Sequence, residues 1–221
     1  MGYFDPMLFE QLHIGGDKNL AYIFGDERTM EVAAVDPGEN PRLLVERMRE
    51  LGATCRYVLA THSHIDHIWG VDDVTGPTAA PFAGHPSVPG VTMPLSDGQT
   101  FHVGSVPVRV IYCPGHAPDS VLYVIADQKV LTGDELFIGG VGITRSESQA
   151  RLHYTNLHHR LLTLPDHLEV YPGHDYGAKP SSTIGEQRRT NPYFQQKDFQ
   201  AFWHLRQNWK QYVKDHGLKW G

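Results

Sequence analysis

Cysteine is nearly absent from this chain: Cys55 and Cys113 are the only two. Two thiols cannot build a disulfide framework, so the expected compartment is the cytoplasm. Long apolar stretches are missing as well. Uncharged runs such as Ile138–Thr144 fall far short of the ~20 residues a membrane span needs, so no transmembrane helix and no membrane partner are expected. The opening Met1-Gly-Tyr-Phe-Asp-Pro6 has no basic segment leading into an apolar one, so no secretory signal is expected. Basic blocks are lacking too. None exceeds Arg188-Arg189, and the formal charge is −6, which argues against nucleic acid as a partner. With no internal repeat, no low-complexity tract and no long linker, the 221 residues are expected to form one domain spanning 1–221. The 40% apolar and 20% charged fractions exclude wholesale disorder.

Histidine, by contrast, is abundant, with 14 copies. Where they fall depends on the elements around them. Short apolar runs between Leu20 and Asp36, broken at Gly25-Asp26, predict a β-hairpin. Asn40 as cap, Pro41 in the first turn, Leu44, Met48 and Leu51 at helical spacing and Gly52 as stop predict a helix. Strands are expected at Tyr57–Ala60, at Val106–Tyr112, at Val121–Ile125 paired with Val130-Leu131, and at Leu168–Tyr171. Helices are expected at about 156–164 and, as one long amphipathic element, at about 198–213. Strands mixed with helices through one chain suggest a layered α/β architecture.

The segment Thr61-His-Ser-His-Ile-Asp-His67 places His62, His64, Asp66 and His67 just beyond a predicted strand. Burying that many polar groups without partners would cost several kcal/mol, so something must satisfy them. Imidazole and carboxylate together suit first-row ions such as zinc, iron or manganese rather than calcium or magnesium. His116, Asp134 and His174 each follow a separate predicted strand, and each is preceded by glycine. In layered α/β folds chemistry collects beyond the carboxyl ends of strands, so these groups are expected to converge on a metal.

The motif Thr-His-x-His-x-Asp-His, followed by Pro114-Gly-His116, Thr132-Gly-Asp134 and Pro172-Gly-His174, resembles the metallo-β-lactamase superfamily. The resemblance runs from about Leu20 to Asn191. It implies a four-layer αββα sandwich with the metals at one edge of the two sheets and, here, a C-terminal helix. It also implies that His62, His64 and His116 hold one ion, that Asp66, His67 and His174 hold a second, and that Asp134 bridges them. Seven ligands exceed what one open catalytic ion takes and suit two ions sharing a carboxylate, with zinc expected and iron or manganese as other candidates. Such a pair brings a bound water's pKa to about 7, which is hydrolytic chemistry. Asp66 would help to orient the attacking hydroxide.

Within the superfamily, Tyr171-Pro-Gly-His-Asp-Tyr176, Ser182-Thr183, Glu186 and Asn191-Pro192 are similar to the glyoxalase II-like thioesterases and the persulfide dioxygenases. The expected activity is hydrolysis of a small acyl-thiol, with a mononuclear iron persulfide dioxygenase as the other reading. Glyoxalase II adds a helical glutathione-gripping domain after the last ligand, whereas the stretch after His174 here has room for a loop and one helix. Persulfide dioxygenases carry an arginine where Ile143 stands, and Arg145, two positions on, is the candidate replacement. Tyr176 and His85 are candidate substrate contacts.

Other features have plainer readings. Gly139-Gly-Val-Gly142 lacks the lysine and helix start of a phosphate loop and is expected to be a flexible active-site loop. His158-His159 is expected on an exposed helix face, and Cys113 in packing. Phe199, Phe202, Trp203, Trp209, Tyr212 and Val213, at helical spacing, are expected to dock the last helix on the domain, with a dimer (homo-oligomer) contact or a substrate wall as the other uses.

Overall fold

The computed structural model describes residues 7–220. The reading of Met1–Pro6 therefore lies outside the described residues. The first sheet holds β1 (Met7–Gly15), β2 (Asn19–Asp26), β3 (Glu31–Val35), β4 (Thr54–Leu59), β5 (Phe82–Gly84) and β6 (Met93–Pro94), side by side in that order. Its first three strands are antiparallel, and from β3 onward neighbours run parallel. The parallel crossovers carry α1 (Pro41–Glu50), the single turn α2 (Ile65–Ile68) and α3 (Val71–Thr78). Asn40 caps α1 and Pro41 opens it, as the sequence predicts.

The second sheet begins with β7 (Thr100–Val103), β8 (Val106–Tyr112), β9 (Val121–Ile125) and β10 (Lys129–Gly133). A two-stranded ribbon, β11 (Leu136–Phe137) and β12 (Gly140–Val141), stands outside it. The helices α4 (Glu147–Asn156), α5 (Ile184–Thr190), α6 (Phe199–Gln207) and α7 (Trp209–Asp215) follow, with β13 (Glu169–Pro172) and β14 (Ser182–Thr183) completing the sheet before α5.

Alternation along the strands sets the layers. On β2, Leu20, Tyr22 and Phe24 pack between the sheets, while Ala21 and Ile23 meet Leu44, Met48 and Val74 of the first helical layer. On β9, Val121, Tyr123 and Ile125 face inward, and Leu122 and Val124 meet Leu161, Ile184 and Phe202 of the second helical layer. Both faces of β2 and of β9 are buried, which is why these two strands read as continuous apolar runs. Each large apolar side chain sealed this way contributes about 1.5–3 kcal/mol. The result is the expected αββα sandwich.

The same topology gathers the strand ends. β10 and β13 are parallel, and β8 points the same way because β9 lies antiparallel between it and β10. The sheets are stitched at this edge: Leu20 N donates to Gly173 O, and Val121 N to Thr61 O, both at 2.8 Å. The Tyr123 hydroxyl donates to Ala60 O at 2.7 Å.

Three expectations need correction. The helix expected at 156–164 begins ten residues earlier, at a Ser146 cap that accepts from Gln149 N, and continues past Asn156 as one wider turn at Leu157–Leu161. The element expected at 198–213 is two helices, because Asn208 leaves helical geometry (φ −111°, ψ 18°) while its amide donates to His204 O. Its aromatic stripe nonetheless docks: Phe199 and Phe202 are buried, and Trp203, Trp209 and Tyr212 pack against the same core. Finally, Gly139-Gly140 is no loose loop. It closes the β11–β12 ribbon, with Gly139 N donating to Gln187 Oε1 at 2.9 Å.

Candidate metal centre

The structure brings all seven histidine and aspartate candidates together. His64 Nδ1 lies 3.0 Å from His62 Nε2 and 2.8 Å from His116 Nε2, so three ring nitrogens converge on one point. With Asp134 they form one group that could hold a metal ion, and Asp66, His67 and His174 form another. Asp134 stands between the two. Its Oδ1 is 3.4 Å from His67 Nε2, and its Oδ2 is 3.4 Å from both His116 Nε2 and His174 Nε2. Asp66 Oδ2 lies 3.6 Å from His67 Nε2 and 3.4 Å from His174 Nε2.

Local backbone makes this convergence possible. α2 is one turn long, and His64, extended at its N-terminal flank, turns the chain so that Asp66 and His67 follow inside the turn. Gly133 has φ +48°, and a Cβ there would meet Thr61 Oγ1 at 2.6 Å. A Cβ on Gly173 would stand 2.3 Å from Asp134 Oδ1. Glycine before these donors is thus required by close approach, and at Gly133 by turn geometry as well.

Each of four histidines uses its second ring nitrogen for an outer contact. His62 Nδ1 meets Thr61 Oγ1 at 3.1 Å, and His67 Nδ1 meets Asp36 Oδ2 at 3.0 Å. His116 Nδ1 meets Ile143 O at 2.9 Å, and His174 Nδ1 meets Asp17 O at 2.8 Å. Such outer partners fix the tautomer and leave Nε2 as the donor atom, which is how metal-ligating histidines are held. Two atoms facing the middle, His67 Nε2 and Asp134 Oδ1, are buried without any hydrogen-bond partner. Buried polar atoms rarely go unpaired. The donor set therefore fits divalent metal ions of the first row.

Without ions, the cluster's electrostatics rest on protons. Burial works to raise the Asp134 carboxyl, but His67, His174 and His62 outweigh it and hold it far below the usual carboxylate range. Asp66 is likewise held low, against burial, by His174 and His67. Burial opposes charge on His174, yet Asp134 and Asp66 push it up to about 10. His67 is raised by the same carboxylates together with Asp36. His62, buried and facing His67, is pushed well down.

Several contributors escaped the sequence reading. Asp36 accepts from Thr61 N and Thr61 Oγ1 as well as facing His67. Asn19 Nδ2 donates to Asp66 Oδ2 at 2.9 Å. Glu135, 1% exposed, accepts from His116 N at 2.8 Å and pairs with the buried His153 at 3.0 Å. Ser146 with Gln149 was a cap signal that could have revealed the helix presenting His153.

Other candidates scatter. Tyr176 stacks on His174 at 4.9 Å and lines a cleft of about 800 Å³ beside the cluster. Ile143 also lines that cleft, whereas Arg145 is exposed ahead of α4 and is not part of the lining. The cations that do line it are Arg206 and Lys210. His85 stacks on Tyr112 at 4.7 Å and belongs neither to the two donor groups nor to the lining of that cleft. Of the pair expected on an exposed face, His159 is exposed, but His158 is half-buried against Tyr154. Cys113 is fully buried, and burial pushes its thiol well up, as a packing residue requires.

Two helix-flanked sheets with a histidine–carboxylate cluster at one edge define a metal-dependent enzyme class. A family model described as the Metallo-beta-lactamase superfamily matches residues 15–94. The chain is 35% identical over 182 residues to "Probable hydroxyacylglutathione hydrolase glo2" of Schizosaccharomyces pombe, covering 77% of this chain and 70% of that one. It is 31% identical over 196 residues to "Persulfide dioxygenase ETHE1, mitochondrial" of Mus musculus, covering 85% and 76%. The solved structure of ETHE1 from Myxococcus xanthus superposes with a TM-score of 0.84 at 33% identity, covering 91% of each chain. This chain belongs to the metallo-β-lactamase superfamily.

Proposed function

We propose that the protein is a metal-dependent thioester hydrolase acting on an acyl-thiol. The observation carrying this reading is the pair of donor groups meeting at Asp134, each with its own histidines and with two central atoms left unpaired. That arrangement suits two divalent ions, zinc before iron or manganese, with His62, His64 and His116 holding one, Asp66, His67 and His174 the other, and Asp134 both. Bound ions supply Lewis acidity and a water acidic enough to lose its proton near neutral pH.

The chain's own residues do the rest. Water adds to the thioester carbonyl carbon, the C–S bond breaks, and a carboxylate and a thiol leave. Asp66, fixed by Asn19 Nδ2 and more open to solvent than Asp134, accepts a hydrogen bond from the attacking water and aims it. Tyr176, held by its hydroxyl on Asp17 at 2.6 Å, forms the wall where the thiol side of the substrate lies. The relative named as a hydroxyacylglutathione hydrolase supports this reading.

A second reading, an iron-dependent persulfide dioxygenase, is favoured by the high coverage of the ETHE1 structure. Ile143 in place of that group's arginine weighs against it. Metal analysis combined with thioester cleavage under nitrogen separates the two.

A further inference from the structure

The cleft beside the metal centre continues well past the Tyr176 wall that the hydrolytic step uses. Phe137 and Tyr176 form its inner wall, and both rings contact His174, edge-on at 5.8 Å and stacked at 4.9 Å. Trp220 lies 5.6 Å from Tyr176 and 5.0 Å from Trp209, so aromatic rings continue outward from the reacting end. At the outer wall α6 and α7 contribute Arg206 and Lys210. Lys210 has no side-chain partner among the described residues, and the Arg206 guanidinium reaches Tyr193 Oη only at 3.4 Å. Among the described residues Asp17 is the one acid in the lining, and it is engaged by the Tyr176 hydroxyl. In a chain of net charge −6, an unpaired Lys210 and an Arg206 held only by one long contact to Tyr193 stand beside a run of aromatic faces and point to a specific ligand chemistry.

That chemistry has two elements, a flat ring and an anion. Aromatic walls favour ring stacking, and free cations favour phosphate. A short peptide thiol offers carboxylates but no ring, so it leaves the aromatic wall unused. We infer that this cleft seats the nucleotide arm of a phosphorylated thiol carrier, as in a coenzyme A thioester, with the acyl end at the metal centre. The inference rests on the thioesterase reading for its orientation, but binding of the arm alone does not depend on turnover.

The test therefore measures binding first. Adenosine 3′,5′-bisphosphate and S-methylglutathione are titrated separately into the metal-loaded protein, followed by tryptophan fluorescence and calorimetry. Saturable binding of the bisphosphate is expected. It should weaken by about tenfold or more in Lys210→Gln and in Arg206→Gln, the loss of one charge-assisted contact. KM for an acyl-coenzyme A should rise by a similar factor. Binding of S-methylglutathione but not of the bisphosphate, or of neither, overturns the inference. So does an acyl-coenzyme A KM equal to that of an N-acetylcysteamine thioester, while leaving the hydrolase reading intact. Bisphosphate binding without thioester cleavage would instead overturn the hydrolase reading and leave the nucleotide site standing.

Discussion

Asp36 Oδ2 lies 3.0 Å from His67 Nδ1, with both side chains 1% exposed. The same carboxylate accepts from Thr61 N and Thr61 Oγ1, so one residue holds both the start of the histidine segment and its last member. All three partners are donors. An amide offers one acceptor oxygen and adds a donor where none is wanted. Asp36→Asn should therefore lower metal affinity by roughly 10–100-fold, as loss of an outer partner does. Competition titration with a chelator checks this, and unchanged affinity would mean that His67 needs no support.

Asp134→Asn should remove activity and reduce the metal content while leaving the fold largely in place. Asparagine keeps the shape but carries no charge to set against two cations. Elemental analysis alongside circular dichroism tests it. Full turnover with full metal occupancy contradicts the bridging role.

Metal loading should release protons. Without ions His174 is pushed up to about 10, so at neutral pH it holds a proton that a metal must displace, and His67 is shifted in the same direction by Asp134 and Asp36. Apparent affinity should climb with pH by about tenfold per unit for each proton displaced, flattening as pH approaches 10. The metal-free fold should follow the opposite trend. A histidine raised on folding stabilises fully below its unfolded value of about 6.5, and that contribution fades as pH rises toward 10. Calorimetry in buffers of different ionisation enthalpy counts the protons. Binding that releases none, with an affinity flat from pH 6 to 9, contradicts the cluster's electrostatics.

The histidine–carboxylate cluster was legible because its members each follow a strand: Tyr112 leads into His116, Gly133 into Asp134 and Pro172 into His174. Strand alternation and the Asn40-Pro41 helix start were legible for the same reason, since local pattern and final burial agree. What stayed hidden is long-range. Asp17 reaches His174 across 157 positions, and Asp36 reaches His67 across 31. Edge strand β1 is only half-buried for most of its length and carries no sharp alternation. The break at Asn208 depends on a side chain folding back on its own helix.

Glu135 and His153 form a buried pair behind the His116 loop. A Cβ on Gly115 would fall 2.5–2.7 Å from atoms of both, so the loop lies directly on them. Glu135→Ala leaves the His116 amide unpaired at a cost of about 1–3 kcal/mol. It should loosen the first metal position more than the second. Glu135→Gln keeps one acceptor and should restore part of the loss. Equal metal affinity in all three forms would reduce the pair to packing.

Cys55 and Cys113 are both buried, and burial raises both thiols. Replacing both with alanine should cost roughly 1–3 kcal/mol through small cavities and leave turnover largely intact. A folded, metal-loaded double variant without activity would mean that a thiol takes part in the chemistry.

The most direct test purifies the protein without added metal, counts ions per chain, and measures thiol release from acyl-thioesters in air and under nitrogen. Two divalent ions per chain and equal rates in both atmospheres are expected. One iron per chain, persulfide-dependent oxygen uptake and no thioester cleavage would contradict hydrolysis.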